Sequence, residues 1–231
     1  LGGLLNFTDT DNYKIDLGKF KQLYVRRVKE RDIKVMYNTQ VTKALLTELK
    51  PDAVIIAVGS KPVQPPIPGI ENAMKALDVY ETPEKVGQNV IMIGGGLVGC
   101  ETGLHLAKSG KNVTIIEMAD KVAPDSYPMH RIGLLDEMSR MVTVHTGLKC
   151  TAITSDTVTA ADKDGNEHTF KGDTVIYALG MKACSHTADT LKAMIKDTLG
   201  DIQVYTVGDC VRASKVYEAG REGFTAAMSI L

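Results

Sequence analysis

QNVIMIGGGLVGCETGLHLAKSGKNVTIIE, residues 88–117, decides the fold. Val90, Ile91, Met92 and Ile93 form an unbroken apolar run, as in a strand buried on both faces. The run leads straight into GGGLVG at 94–99. Helical spacing follows through Leu104, Leu106 and Ala107 and stops at Gly110, and Val113 to Ile116 reads as the next strand. Gly94-x-Gly96-x-x-Gly99 therefore stands between a strand and a helix. There the first glycine allows a tight turn, the second lets the backbone approach a pyrophosphate, and the third lets helix and strand pack closely. The helix N-terminus offers N–H donors and partial positive charge to the phosphates. Glu117 closes the second strand about 20 residues on, where a carboxylate accepts from the hydroxyls of an adenine ribose. The stretch is a dinucleotide-binding βαβ unit, with Gly94, Gly95, Gly96, Leu97, Val98, Gly99 and Glu117 as its expected cofactor-binding residues.

Glu117 also bears on which dinucleotide is bound. A carboxylate there repels a 2′-phosphate, and NADP sites place an arginine nearby instead. The following residues, MADKVAP at 118–124, hold Lys121 as their only cation. NADH is expected in preference to NADPH.

On the amino-terminal side, Leu17, Phe20, Leu23, Tyr24 and Val28 recur at steps of three and four, an amphipathic helix. Its charge pattern KQLYVRRVKERD is a solvated face. Ile33 to Tyr37 reads as a short strand, and AVIIAV at 53–58 as a strand buried on both faces. KPVQPPIPG at 61–69 carries half of the chain's prolines and reads as an extended connector, with a domain boundary soon after it. On the carboxyl-terminal side a helix is expected over 129–141, with Ile132, Leu135 and Met138 on one face. Residues 142–174 are β-rich and antiparallel in character, with Asp164-Gly165 as a hairpin turn. Val175 to Leu179 is another buried strand ending at Gly180. A helix near 187–195, a strand near 202–207 and a final helix complete the pattern.

Composition narrows the function. The chain has 231 residues, 44% hydrophobic and 24% charged, with net charge −1, so no basic field points to nucleic acid. No apolar run reaches the ~20 residues of a membrane span. Cys100, Cys150, Cys184 and Cys210 lack CxxC or cluster spacing and are expected to be free thiols of a cytoplasmic protein, with no metal site. His105, His130, His145, His168 and His186 form no set and are expected in ordinary structural or surface roles. Ser60, Ser126 and Ser185 lack a nucleophile-elbow context. No catalytic acid, base or nucleophile is expected. The opening LGGLLNFTDTDNYK is neither a start methionine nor a signal peptide, and a piece of a longer chain is expected.

Two further strand ends resemble each other: AVGSKP at 57–62 and TVGDC at 206–210. Each is a buried strand ending in glycine beside small or polar groups, where a ligand can approach the backbone. Asp209 lies at a strand's carboxyl end, the position where open α/β sheets bind ligands. Read from the residues alone, it either accepts from a polyol or caps the last helix.

Together these motifs resemble the pyridine-nucleotide-dependent flavoprotein reductase superfamily, in which an NAD domain is inserted into an FAD domain. AVGSKP resembles its outgoing connector, residues 67–118 its NAD half, YALG at 177–180 its return connector, and TVGDC the segment whose aspartate contacts the FAD ribityl chain. Within the superfamily, the opening LGG, PDAVIIAVGS at 51–60 and SYPMHRIGLLDEM at 126–138 resemble the carboxyl-terminal region of the NADH:flavin oxidoreductase, 2-enoate reductase and 2,4-dienoyl-CoA reductase group. The resemblance implies an α/β fold: a Rossmann-like three-layer NAD(P)-binding domain (85–181) inserted into a partial FAD-binding Rossmann-like domain (1–84 and 182–231). It implies Val58, Gly59, Ser60, Gly180, Gly208 and Asp209 as further cofactor-binding residues, and it brings Glu101 into view at the nicotinamide end, against a solvated first-turn glutamate. The family's FAD-binding GxGxxG, its TIM barrel with FMN and its iron–sulfur cysteines have no counterpart in these 231 residues. The implied function is the nucleotide-binding piece of an oxidoreductase that passes a hydride from NADH to FAD, and in its parent onward to FMN and an enoate- or enoyl-type acceptor. A stand-alone NAD-binding module without turnover and a reductase completed by a partner chain are the competing readings. Homo-oligomerisation is left open.

Overall fold

The computed structural model describes residues 1–7 and 14–230. Its helices of more than one turn are α1 (Ile15–Glu30), α2 (Lys43–Leu49), α4 (Leu97–Lys108), α5 (Pro128–Met141), α6 (Ser185–Leu199) and α7 (Val216–Met228), and α3 (Asp78–Glu81) is a single turn. The strands are β1 (Ala53–Ile56), β2 (Ser60–Pro62), β3 (Met74–Lys75), β4 (Asn89–Ile93), β5 (Asn112–Ile116), β6 (Val142–His145), β7 (Lys149–Ile153), β8 (Thr157–Ala161), β9 (Glu167–Lys171), β10 (Thr174–Tyr177), β11 (Met181–Ala183) and β12 (Gln203–Thr206). The chain divides into two compact units, residues 1–33 with 64–180, and residues 34–63 with 181–231.

The first unit is built on a five-stranded parallel sheet in the order β3-β10-β4-β5-β6. Side chains alternate across a strand, and β4 uses both of its faces. Val90 and Met92 join Cys100, Leu104, Leu134 and Met138 in a core under α4 and α5. Ile91 and Ile93 join Cys150, Ile153, Val158 and Ala160 in a second core under the antiparallel sheet β7-β8-β9. The result is three layers, and the unbroken apolar text of β4 is the signature of its central place. From β4 the chain steps outward to β5 and β6. It then returns through the antiparallel layer to β10 on the other side of β4. The strand order thus reverses between β4 and β10, and open α/β sheets bind ligands at the carboxyl ends of such a pair.

Several expectations about local structure are corrected. Residues 33–37 form no strand: Ile33, Met36 and Tyr37 are exposed and pair with no sheet. The β-rich stretch is antiparallel only from Lys149 on, because Val142–His145 adds in parallel to β5. Ile132 points to solvent, and Leu134 with Met138 makes the buried face of α5. The Asp164-Gly165 turn does join β8 to β9, with Gly165 at φ +84°.

The second unit has a two-stranded parallel sheet, β1-β12, and the antiparallel pair β2-β11. Leu46, Ile56, Ala188, Ile195 and Cys210 form its core. Full burial of the 53–58 run is not realised. Ile56 is buried, but Ile55 is exposed, because a two-stranded sheet with one filled face leaves alternate residues uncovered, and Val58, beyond the end of β1, is exposed as well.

Candidate dinucleotide-binding site

The glycine loop sits at the reversal point of the first unit. Gly94 leaves β4 at φ +100°, a conformation open to glycine and strained for other residues. A Cβ there would also meet the Ala178 carbonyl oxygen at 2.5 Å. A Cβ at Gly99 would overlap the Gly94 carbonyl oxygen. Gly96 differs from both. It is the N-cap of α4, in extended conformation (φ −64°, ψ 178°), with no side chain capping the helix and nothing within 4 Å of a Cβ built on it. The α4 amino-terminus thus presents backbone donors to open space, a cradle that fits a pyrophosphate. Leu97 and Val98 open the helix there, with Val98 exposed.

Glu117 reaches this loop from the end of β5. Its Oε2 accepts from the Gly95 N–H at 2.6 Å and its Oε1 from the Ala119 N–H at 2.7 Å. Two backbone donors orient the carboxylate, and a carboxylate with one donor on each oxygen keeps lone pairs for further hydroxyls.

Glu101 is not the solvated first-turn glutamate of one sequence reading. It is buried, with Oε2 accepting from Lys14 Nζ at 2.5 Å and Oε1 from His130 Nε2 at 2.9 Å. His130, expected in an ordinary role, thus joins Lys14 at the buried Glu101 carboxylate on the helix of the glycine loop. Sequence reading missed the cluster because its members lie 87 and 29 residues apart.

Cys100, next to Glu101, is also buried, and its thiol donates to the Gly95 carbonyl at 3.3 Å. Burial, reinforced by the negative charges of Glu117 and Glu101, pushes this thiol up to about 12. It is a hydrogen-bonding group rather than a nucleophile.

In the second unit the structure brings together the two strand ends that sequence analysis paired. Ile56 lies opposite Thr206 in the β1-β12 ladder. Beyond the ladder Gly59 (φ +73°) and Gly208 (φ +71°) both take glycine conformations. Ser60 Oγ donates to Asp209 Oδ2 at 2.9 Å, and the Ser214 N–H donates to Oδ1 at 3.1 Å. Asp209 is therefore not the cap of the last helix: α7 begins after Lys215 and has no side-chain cap. Val58, which precedes Gly59 in the chain, is exposed, and nothing lies within 4 Å of a Cβ built on Gly59. Gly180, at φ +93°, likewise faces open space where β10 ends in the first unit. Among the described residues no cluster of His, Cys, Asp and Glu has the makings of a metal site. No helix among them is long and apolar enough to cross a membrane.

Residues 21–223 match the family model described as pyridine nucleotide-disulphide oxidoreductase. An NADH oxidase of Thermoanaerobacter brockii is 30% identical over 100% of this chain and 36% of its own length. A cinnamate reductase of Clostridium sporogenes is 35% identical over 55% of this chain and 18% of its own. Among solved structures, a 2-naphthoyl-CoA reductase in complex with 2-naphthoyl-CoA superposes with a TM-score of 0.86 at 26% identity, covering 100% of this chain and 34% of that one. The chain thus spans about a third of the length of the relatives that it matches from end to end.

Proposed function

The chain belongs to the pyridine nucleotide-disulphide oxidoreductase family, and from that membership we propose that it is the nucleotide-binding portion of a flavoprotein reductase that takes its electrons from NADH. The observation that carries the reading is the uncapped α4 amino-terminus at Gly96, open to a ligand, with the Glu117 carboxylate beside it. In this reading the amides of Leu97, Val98 and Gly99 hold the pyrophosphate, and Gly96 admits it. Glu117 accepts from the adenine ribose and disfavours a 2′-phosphate. Val58, Gly59, Ser60, Gly208 and Asp209 line the FAD side, where each Asp209 oxygen keeps capacity for a polyol hydroxyl. The nicotinamide and the flavin carry the hydride chemistry, and the side chains of this chain bind and orient them. Relatives named for cinnamate and 2-naphthoyl-CoA support an unsaturated acceptor of enoate or enoyl type, reached in the parent through FMN. The three-segment division at 84/85 and 181/182, with an NAD domain inserted in an FAD domain, belongs to the same proposal.

The test is a fluorescence titration of the purified chain with NADH, run beside an absorption spectrum of the protein as isolated. Saturable NADH binding with weak or absent flavin absorption is expected, since these 231 residues contain one GxGxxG unit. Absence of NADH binding overturns the nucleotide site. A full, stable flavin spectrum overturns the view that the flavin side is incomplete.

A further inference from the structure

Gly95 occupies the unrestricted second position of the glycine fingerprint, yet the structure constrains it more than the motif requires. A Cβ there would meet Val122 Cγ1 at 2.6 Å and Glu117 Cβ at 3.0 Å. Its peptide is held at both ends. The N–H donates to Glu117. The carbonyl accepts from the Ala123 N–H at 2.7 Å and from the Cys100 thiol at 3.3 Å. Ala123 is fully buried at φ +46°, a left-handed conformation that a non-glycine residue keeps only when its surroundings impose it.

Arg131, on the first turns of α5, supplies that constraint. Its Nε donates to the Ala123 carbonyl at 3.1 Å and to the Val122 carbonyl at 3.2 Å, and its Nη2 donates to the Val122 carbonyl at 2.9 Å. The guanidinium is engaged with two backbone carbonyls of the segment that follows Glu117. Its Nε and Nη2 donors thus point at the main chain of residues 122 and 123.

We propose that Arg131 is a positioning residue for nucleotide discrimination: it fastens Val122 and Ala123 onto the Gly95 peptide and so fixes the Glu117 carboxylate that selects NADH over NADPH. The inference rests on the assignment of this loop as an NADH site. Coupling runs from the guanidinium to the 122–123 carbonyls, from the Ala123 N–H to the Gly95 carbonyl, and from the Gly95 N–H to Glu117. Loosening any link lets the carboxylate turn away from the ribose, which costs NADH a partner and relieves the repulsion against a 2′-phosphate.

The experiment measures Kd for NADH and NADPH by fluorescence titration of the whole chain, and the readout is the ratio Kd(NADPH)/Kd(NADH). A general packing defect weakens both nucleotides alike and leaves that ratio in place. In Arg131→Gln the ratio is expected to fall about five-fold, the scale of one net hydrogen bond. Should Arg131→Gln fail to fold, Cys100→Ala tests the same clamp from the other side with an expected fall of about two-fold. Cys100→Ser, whose hydroxyl donates in place of the thiol, restores the ratio. An unchanged ratio in the folded variants overturns the positioning role. A ratio that rises in Arg131→Gln also overturns it, because the arginine would then be binding the 2′-phosphate itself. Failure of the wild-type chain to bind either nucleotide, or a wild-type preference for NADPH, overturns the NADH assignment and the inference with it.

Discussion

Lys14 Nζ lies 2.5 Å from Glu101 Oε2, in a pair whose side chains are 15% and 8% exposed. A buried carboxylate deprived of its cation is far costlier than a surface pair deprived of one member. Lys14→Met leaves Glu101 with His130 as its remaining partner at 2.9 Å among those described above. We expect Lys14→Met to lower the unfolding free energy by about 3 kcal/mol in urea titrations. The double variant Lys14→Met/Glu101→Gln should cost less than the sum of the single changes, because a neutral amide then stands where the carboxylate has lost its lysine. Strict additivity would show that the pair contributes nothing.

The glycines of the fingerprint should separate into two classes. Gly96→Ala introduces a methyl group into open space at an ordinary backbone conformation. Its Tm should stay within a degree or two of wild type, while NADH affinity falls by an order of magnitude or more because the methyl occupies the phosphate approach. Gly99→Ala drives a methyl into the Gly94 carbonyl and should destabilise the fold by about 1–3 kcal/mol, as overpacking does. Thermal melts and NADH titrations of both variants test the split, and equal loss of Tm in both would refute it.

Asp162 offers a pH-dependent check on the β8-β9 hairpin. Its carboxylate accepts from Asn166 Nδ2 at 3.0 Å and from the Asn166 and Asp164 N–H groups at 2.9 Å each, with His168 at 3.4 Å. These donors, Asn166 foremost, lower its pKa to about 2. A depressed folded-state value stabilises above the unfolded carboxylate value of ~3.9 and loses that contribution as the pH falls toward the folded value. Carboxyl NMR titration should place the Asp162 midpoint near 2, and Asn166→Ala should move it upward.

The four thiols should differ in reactivity by burial. Cys100, Cys150 and Cys210 are buried and Cys184 is partly exposed. Burial raises the Cys100 and Cys150 thiols, the first to about 12. Because the thiolate is the reacting species, iodoacetamide at pH 8 should label Cys184 first in the native protein. Peptide mass spectrometry reads the order, and early modification of Cys100 would show that the glycine loop opens readily.

The parallel sheet, the loop between strand and helix, and the acid at the end of the second strand were legible in residues 88–117. Period and spacing are local properties, and each of these features is made by neighbours in sequence. The strand ends at Gly59 and Gly208 were legible for the same reason, although only the β1-β12 ladder brought Ser60 to Asp209. Ile33–Tyr37 and the far face of 53–58 misled, because β-branched and apolar text states a preference for burial and the sheet decides whether a partner exists to provide it. The cluster at Glu101 and the clamp on Gly95 were invisible for a different reason. Lys14, His130 and Arg131 are unremarkable where they stand in the chain, and only the tertiary contacts of α5 and of Lys14 bring them to α4 and the glycine loop. The sequence by itself determined the strand, glycine turn and helix over 89–108 that frame the proposed dinucleotide site. Tertiary structure alone decided which distant side chains hold that loop and its acid in place, because such contacts depend on crossings between elements and no local pattern encodes them.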